Sequence, residues 1–232
     1  MIASIQRTPR IPSNIKDPAV YLAQFADDTA PPNTWDGIIN WTAGHGDKGV
    51  QLPSWEACLI NLKRAASSKN YCDELVRRAS ANSVELTELG THLQGLSVAV
   101  HPTQNETFDA FAPDAVSGNA KTRQKWAVQQ MPCSAKGPKH TGLKFNENFS
   151  GASAWPFLYP WPQRPAGLIE AAFDELAKRW QPILEAFDDA DCNVAFELLP
   201  GEDLFDGVTF KMLLERVGNH PRCCINYDPS HF

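Results

Sequence analysis

The sequence has no uninterrupted apolar run near the roughly 20 residues that a bilayer-crossing helix needs. Its first residues, MIASIQRTPRIPSNIKDP, also lack the apolar stretch of a signal peptide. A membrane anchor is therefore not expected, and a cytoplasmic location is. Cysteine is sparse, at six residues, and none of Cys58, Cys72, Cys133, Cys192, Cys223 and Cys224 is in CxxC spacing. That excludes a disulfide scaffold, argues against cysteine-bound zinc, and fits reduced thiols acting as small hydrophobes. Positive charge is also short: 21 Lys and Arg against 27 Asp and Glu, a net −6. Broad binding to nucleic acid or to anionic lipid is disfavoured on that balance. No Gly-x-Gly-x-x-Gly follows the first strand and no P-loop motif occurs anywhere, which lowers the odds of a dinucleotide or nucleotide-phosphate site.

What is present is ordinary globular composition: 232 residues, 43% hydrophobic and 21% charged. This is enough for one substantial domain or two small ones. Residues 1–18 read as an extended arm and 19–232 as the folded region. Six strand candidates recur along the chain: YLAQFA (21–26), GVQLP (49–53), VELTEL (84–89), LKFNENF (143–149), NVAFELLP (193–200) and CCINYDPSHF (223–232), the last ending in a polar turn. Helical periodicity lies between them, over 34–45, 55–66, 69–81, 119–136, 168–190 and 207–218. The clearest helix is 168–190, where Ile169, Phe173, Leu176, Trp180, Ile183, Leu184 and Phe187 form one apolar stripe. Pro132 is expected to break or kink the 119–136 helix, and Pro182 to bend 168–190. Residues 94–118 read as loop-rich, and WPFLYPWPQRPAG (155–167) as a fixed aromatic loop. Strands separated by helices of this length need crossover connections, hence a parallel sheet covered by helices. Six such strands suit either an open doubly wound sheet or part of a (β/α)8 barrel.

Parallel α/β folds bind ligands at the carboxyl ends of their strands. There the sequence offers Gln51, Glu88 with His92, Glu147 with Asn148, Glu197, and Asp228 with His231. Carboxylates and imidazoles together suit a hard or borderline divalent cation: Mn2+, Mg2+, Co2+ or Zn2+. Each of these residues alone reads equally as a solvated or capping group. Asp228-Pro229-Ser230-His231 is the sharpest pattern, because an Asp at a strand end and a His three residues on can face one pocket. Trp155 and Trp161, with Tyr159 between them, offer aromatic faces for stacking on a ligand, or simply cap the mouth of the fold. Glu202 and Asp203, after Pro200-Gly201, read as turn and cap residues.

The segments GDKGVQLPSW (46–55), ELTELGTHLQG (85–95), VAVHP (98–102), FSGASAWPFLYPWPQRPAG (149–167), PGEDLFDGVTF (200–210) and YDPSHF (227–232) together resemble the xylose isomerase-like TIM-barrel superfamily. That superfamily includes sugar phosphate isomerases and epimerases as well as the endonuclease IV type of abasic-site nuclease. The resemblance implies a metal-dependent sugar or sugar phosphate isomerase or epimerase working through proton transfer and an enediolate. In it Glu197 is metal ligand and acid/base, Asp228 a second ligand and His231 a substrate or metal contact. Beside what the resemblance implies, His92 with Glu88 reads either as lining the substrate pocket or as structural in the third strand, and Trp155 and Trp161 are further candidates to contact substrate. The family's barrel has eight strands, so the resemblance implies two further βα units, carrying another metal ligand and a second catalytic glutamate. Leu199 stands where the near relatives are expected to have His. Two alternatives stand beside this: an endonuclease IV-like phosphodiesterase on abasic DNA, and a non-catalytic fragment or subunit whose barrel is completed by a partner or a second copy.

Overall fold

The structure is a computed structural model and describes residues 17–26, 33–159 and 161–232. The arm expected over 1–18 lies almost wholly outside the described residues. Six strands form one parallel sheet: β1 (Ala19–Tyr21), β2 (Gly49–Pro53), β3 (Glu85–Gly90), β4 (Phe145–Asn148), β5 (Asn193–Glu197) and β6 (Cys223–Asn226). Their spatial order is their chain order, β1 to β6. A doubly wound sheet reverses direction partway across. This one winds steadily in one direction, as a barrel does. The sheet is not closed, since no pairing joins β6 to β1 among the described residues.

The helices are α1 (Trp35–His45), α2 (Leu62–Ser67), α3 (Lys69–Ser80), α4 (His92–Leu96), α5 (Asn105–Asp109), α6 (Ala120–Thr141), α7 (Trp155–Leu158), α8 (Leu168–Asp189) and α9 (Gly207–Arg216). Local signals set several of their ends. Thr34 accepts from Gly37 N at the start of α1, and Gly46 (φ +90°) ends it. Asp206 and Thr209 exchange bonds as a capping box at the start of α9.

Four expectations need correction. The first strand is Ala19–Tyr21, and Leu22–Gln24 turns into a 3-10 helix, so YLAQFA contributes only its tyrosine to the sheet. Within 55–66 only Leu62 onward is helical. The stretch 94–118 holds part of α4 and all of α5; buried Arg123 of α6 reaches back to Asp109 and to the backbone and side chain of Asn105 of α5. Pro132 does not break α6, which runs through both Pro132 and Pro138. A helix-interior proline costs about 3 kcal/mol. Burial of Ala127, Met131 and Ala135 from the same helix offsets that.

Two apolar clusters lie between sheet and helices. One joins α8, α9 and α6 to Val194 and Phe196 of β5 and Cys223 of β6. The other joins α1, α2 and α3 to Val50, Leu52 and Leu89. Alternation along the strands sends the intervening residues to the other face of the sheet. There Tyr21 pairs with Gln51, Gln51 with Glu88, and Glu197 with Asn226. The inner face of this partial barrel is therefore polar near its carboxyl ends.

Candidate active site

A cavity of about 560 Å3 opens at those carboxyl ends. Residues from every strand or its following loop reach it, among them Tyr21, Gln51, His92, Glu147, Glu197 and Asn226. Asp228, Ser230 and His231 close one side.

Glu197 is the centre of the arrangement. It ends β5, where the alternation that buries Phe196 among the helices turns Glu197 inward. His231 Nε2 lies 2.8 Å from Glu197 Oε1, and His92 Nε2 lies 3.2 Å from Oε2. The hydrogen bond from His92 and then that from His231 hold the Glu197 carboxyl below its ordinary range, against the opposing effect of burial. The Asp-Pro-Ser-His spacing works because Asp228 caps a 3-10 turn over Pro229–His231, its Oδ1 accepting from Ser230 N at 2.8 Å. That turn brings His231 Nε2 back to 3.5 Å from Asp228 Oδ2. The bonds to Ser230 hold the Asp228 carboxyl below its usual value. One ligand atom each from Glu197, Asp228 and His231 lie within 4.8 Å of one another. Two carboxylate oxygens and one imidazole nitrogen are a donor set suited to Mn2+, Co2+ or Zn2+.

On the wall formed by β4, Glu147 shares the cavity. Burial first, then the negative charges of Glu88 and Glu197, push its carboxyl up to about 8. Two ionised carboxyls and one neutral acid therefore coexist in one cavity near neutral pH.

A scan against family models matches residues 39–232 to the xylose isomerase-like TIM barrel. The chain belongs to that family. No curated protein sequence matches it significantly. Solved structures share the fold at low identity. An AP endonuclease of family 2 from Brucella melitensis has a TM-score of 0.56 at 13% identity, with 93% of this chain and 70% of that one covered. D-psicose 3-epimerase from Clostridium cellulolyticum H10, solved with D-tagatose, has a TM-score of 0.51 at 13% identity over 89% and 61%. A 3-keto-D-glucoside 4-epimerase from E. coli has a TM-score of 0.53 at 10% identity over 83% and 62%. The chain thus spans about three fifths of the length of these epimerase structures.

Within this xylose isomerase-like barrel the anticipated residues fall into two groups. Glu197, Asp228, His231 and His92 meet at one cavity. Glu88 sits on β3, where its charge acts on Glu147, but it is not among the residues lining the cavity. Trp155 lies instead in a separate, mostly apolar cavity of about 400 Å3 with Leu158, Tyr159 and Phe205. Trp161 is 74% exposed. Glu202 and Asp203 are more than turn residues. Fully buried, Glu202 accepts from Ser150 N, Ser150 Oγ and Gly151 N, and Asp203 from Ser153 N, Ala154 N and Trp155 N. Together they pin the loop after β4.

Tyr21, Trp55 and Phe149 were not singled out by the sequence, although they form the walls around His92. Tyr21 stands at the carboxyl end of β1, whereas a strand over 21–26 would place it at the amino end. Among the described residues no helix is long and apolar enough to cross a membrane.

Proposed function

We propose that this chain carries the cation-binding part of a sugar isomerase or epimerase site, acting on a small carbohydrate or its phosphate by proton transfer beside a carbonyl. Two lines support the reading. The neighbours named as epimerases share its fold, and Glu197, Asp228 and His231 converge at the carboxyl ends of β5 and β6. The convergence is the observation that carries it. Glu197, Asp228 and His231 would hold a divalent ion such as Mn2+, Co2+, Mg2+ or Zn2+. When bound, such an ion polarises a substrate carbonyl or hydroxyl oxygen as a Lewis acid.

The chain's own residues do the rest. Glu197, kept ionised, is a base for a proton on the carbon next to the carbonyl. Glu147, kept protonated, is placed in the same cavity to donate a hydrogen bond or a proton to a substrate oxygen. Trp55 and Phe149 supply an aromatic wall on one side.

Isothermal titration with Mn2+ and Co2+ tests the reading. Wild type is expected to bind one ion per chain, and Glu197→Gln and Asp228→Asn each to weaken binding at least about tenfold. Unchanged binding in both variants overturns it. Solvent deuterium incorporation into a panel of ketoses, followed by proton NMR, then separates a competent site from one that only binds.

Abasic-site phosphodiester cleavage is the weaker alternative. Multinuclear, histidine-rich clusters do that chemistry beside a basic groove. Among the described residues only the Glu197, Asp228 and His231 group has cation-ligand spacing, and the chain is net negative. Cutting of an abasic duplex in the presence of Zn2+ would reverse the order.

A further inference from the structure

His92 touches Glu197 with one ring nitrogen and Tyr21 with the other. His92 Nε2 is 3.2 Å from Glu197 Oε2, and Tyr21 Oη is 3.3 Å from His92 Nδ1. A neutral imidazole has one nitrogen that donates and one that accepts, and its partners decide which is which. An ionised Glu197 can only accept, so His92 Nε2 carries the proton. With the ring neutral, His92 Nδ1 then accepts and Tyr21 donates to it.

Packing fixes the ring's position. His92 is 4% exposed and packed among Tyr21, Trp55 and Phe149, with centroids at 5.5, 5.9 and 4.8 Å. The backbone presses against it too: a Cβ at Gly90 would lie 3.1 Å from His92 Nδ1. Burial, then the charges of Glu147, Glu197 and Glu56, raise the Tyr21 phenol above its ordinary value, so it keeps the proton it donates.

We propose that Tyr21 and His92 are positioning residues that form a tautomer lock on Glu197, with Tyr21 Oη–H bonded to His92 Nδ1 and His92 Nε2–H bonded to Glu197 Oε2. The lock commits Oε2 to His92 and leaves Oε1 facing His231 and Asp228. Its functional consequence rests on the cation-site reading above: Glu197 would present its carboxylate to the ion in a fixed orientation. Its test does not depend on that reading, because the tautomer is read without an ion.

The test uses 15N-histidine-labelled full chain without added metal. Long-range 1H–15N correlation identifies His92 by its disappearance in His92→Gln and reads which nitrogen is protonated. Wild type is expected to show a protonated Nε2 and an unprotonated, hydrogen-bonded Nδ1. In Tyr21→Phe the Nδ1 resonance should move toward that of a nitrogen without a donor, or the two tautomers should mix, with the far-ultraviolet circular dichroism unchanged. Mn2+ affinity should fall about tenfold in Tyr21→Phe. Protonated Nδ1 in wild type, or a His92 spectrum unaltered by Tyr21→Phe, overturns the lock.

If Tyr21→Phe does not fold, a second pair decides. His92→Gln, whose amide both donates and accepts, should keep Mn2+ affinity within a few-fold, and His92→Leu should lose about tenfold; equal affinities overturn the lock. A wild type that binds no Mn2+ defeats the cation reading alone, since the tautomer is read without it.

Discussion

Glu147 shows how a single side chain can couple the inner cavity to pH. Its carboxyl rises from 4.5 to about 8 on folding, first through burial and then through Glu88 and Glu197. The folded chain therefore holds a proton that the unfolded chain releases between those values. Where the native state binds more protons, stability falls as pH rises. Its contribution is thus unfavourable above about 4.5 and grows until about pH 8. Glu147→Gln keeps the shape and removes the titration. The variant's thermal midpoint, measured from pH 5 to pH 9, should decline less steeply than that of wild type, with near coincidence at pH 5. Parallel curves would show that Glu147 is ordinary in pKa.

At the scale of elements, the loops after β4 and β5 behave as one unit because buried acids join them. Asp203 satisfies three backbone N–H groups, at Ser153, Ala154 and Trp155, that would otherwise be left without acceptors at the start of α7. Orphaning buried donors costs about 1–3 kcal/mol each. Asp203→Ala is expected to destabilise the chain by about 3 kcal/mol or more in chemical denaturation. Asp203→Asn, which still accepts through one oxygen, should lose less. Gly151 sits in the same loop at φ +112°, and a Cβ there would come within 2.4 Å of Ala99 O. Gly151→Ala should therefore cost at least about 2 kcal/mol. Both effects should also loosen Phe149, and with it one wall of the His92 pocket.

Over the whole molecule, the sheet presents two edges, at β1 and β6, among the described residues. Near the β6 edge Ile225, Tyr227 and Phe232 are 42%, 70% and 64% exposed. An uncovered parallel edge beside apolar side chains is a template for association. The 232-residue chain, prepared alone, is expected to self-associate in light scattering coupled to gel filtration. Ile225→Lys should shift it toward monomer. A monomer in wild type would mean that the edge is shielded in solution.

The parallel α/β class was legible along the chain, as were several residues that meet at the candidate site. Strand periodicity, helical stripes such as that of α8, and Asp-x-x-His after a strand are local patterns whose physics operates within a few residues. Glu197, Asp228 and His231 could be named because strand ends and turns are written in adjacent residues. What closes around them could not. Steady winding rather than reversal is a property of strand order, set by packing between distant helices and strands. The first strand's true limits, the continuous α6 across Pro132 and the buried bonds of Glu202 and Asp203 depend on distant partners, 52 residues away for Glu202 and Ser150 and 75 for His140 of α6 and Ala65. The contact of His92 with Glu197 spans 105 positions. Local pattern thus placed Glu197, Asp228 and His231 at strand ends, and only folding, through burial and long-range hydrogen bonds, decided which oxygen of Glu197 each histidine faces.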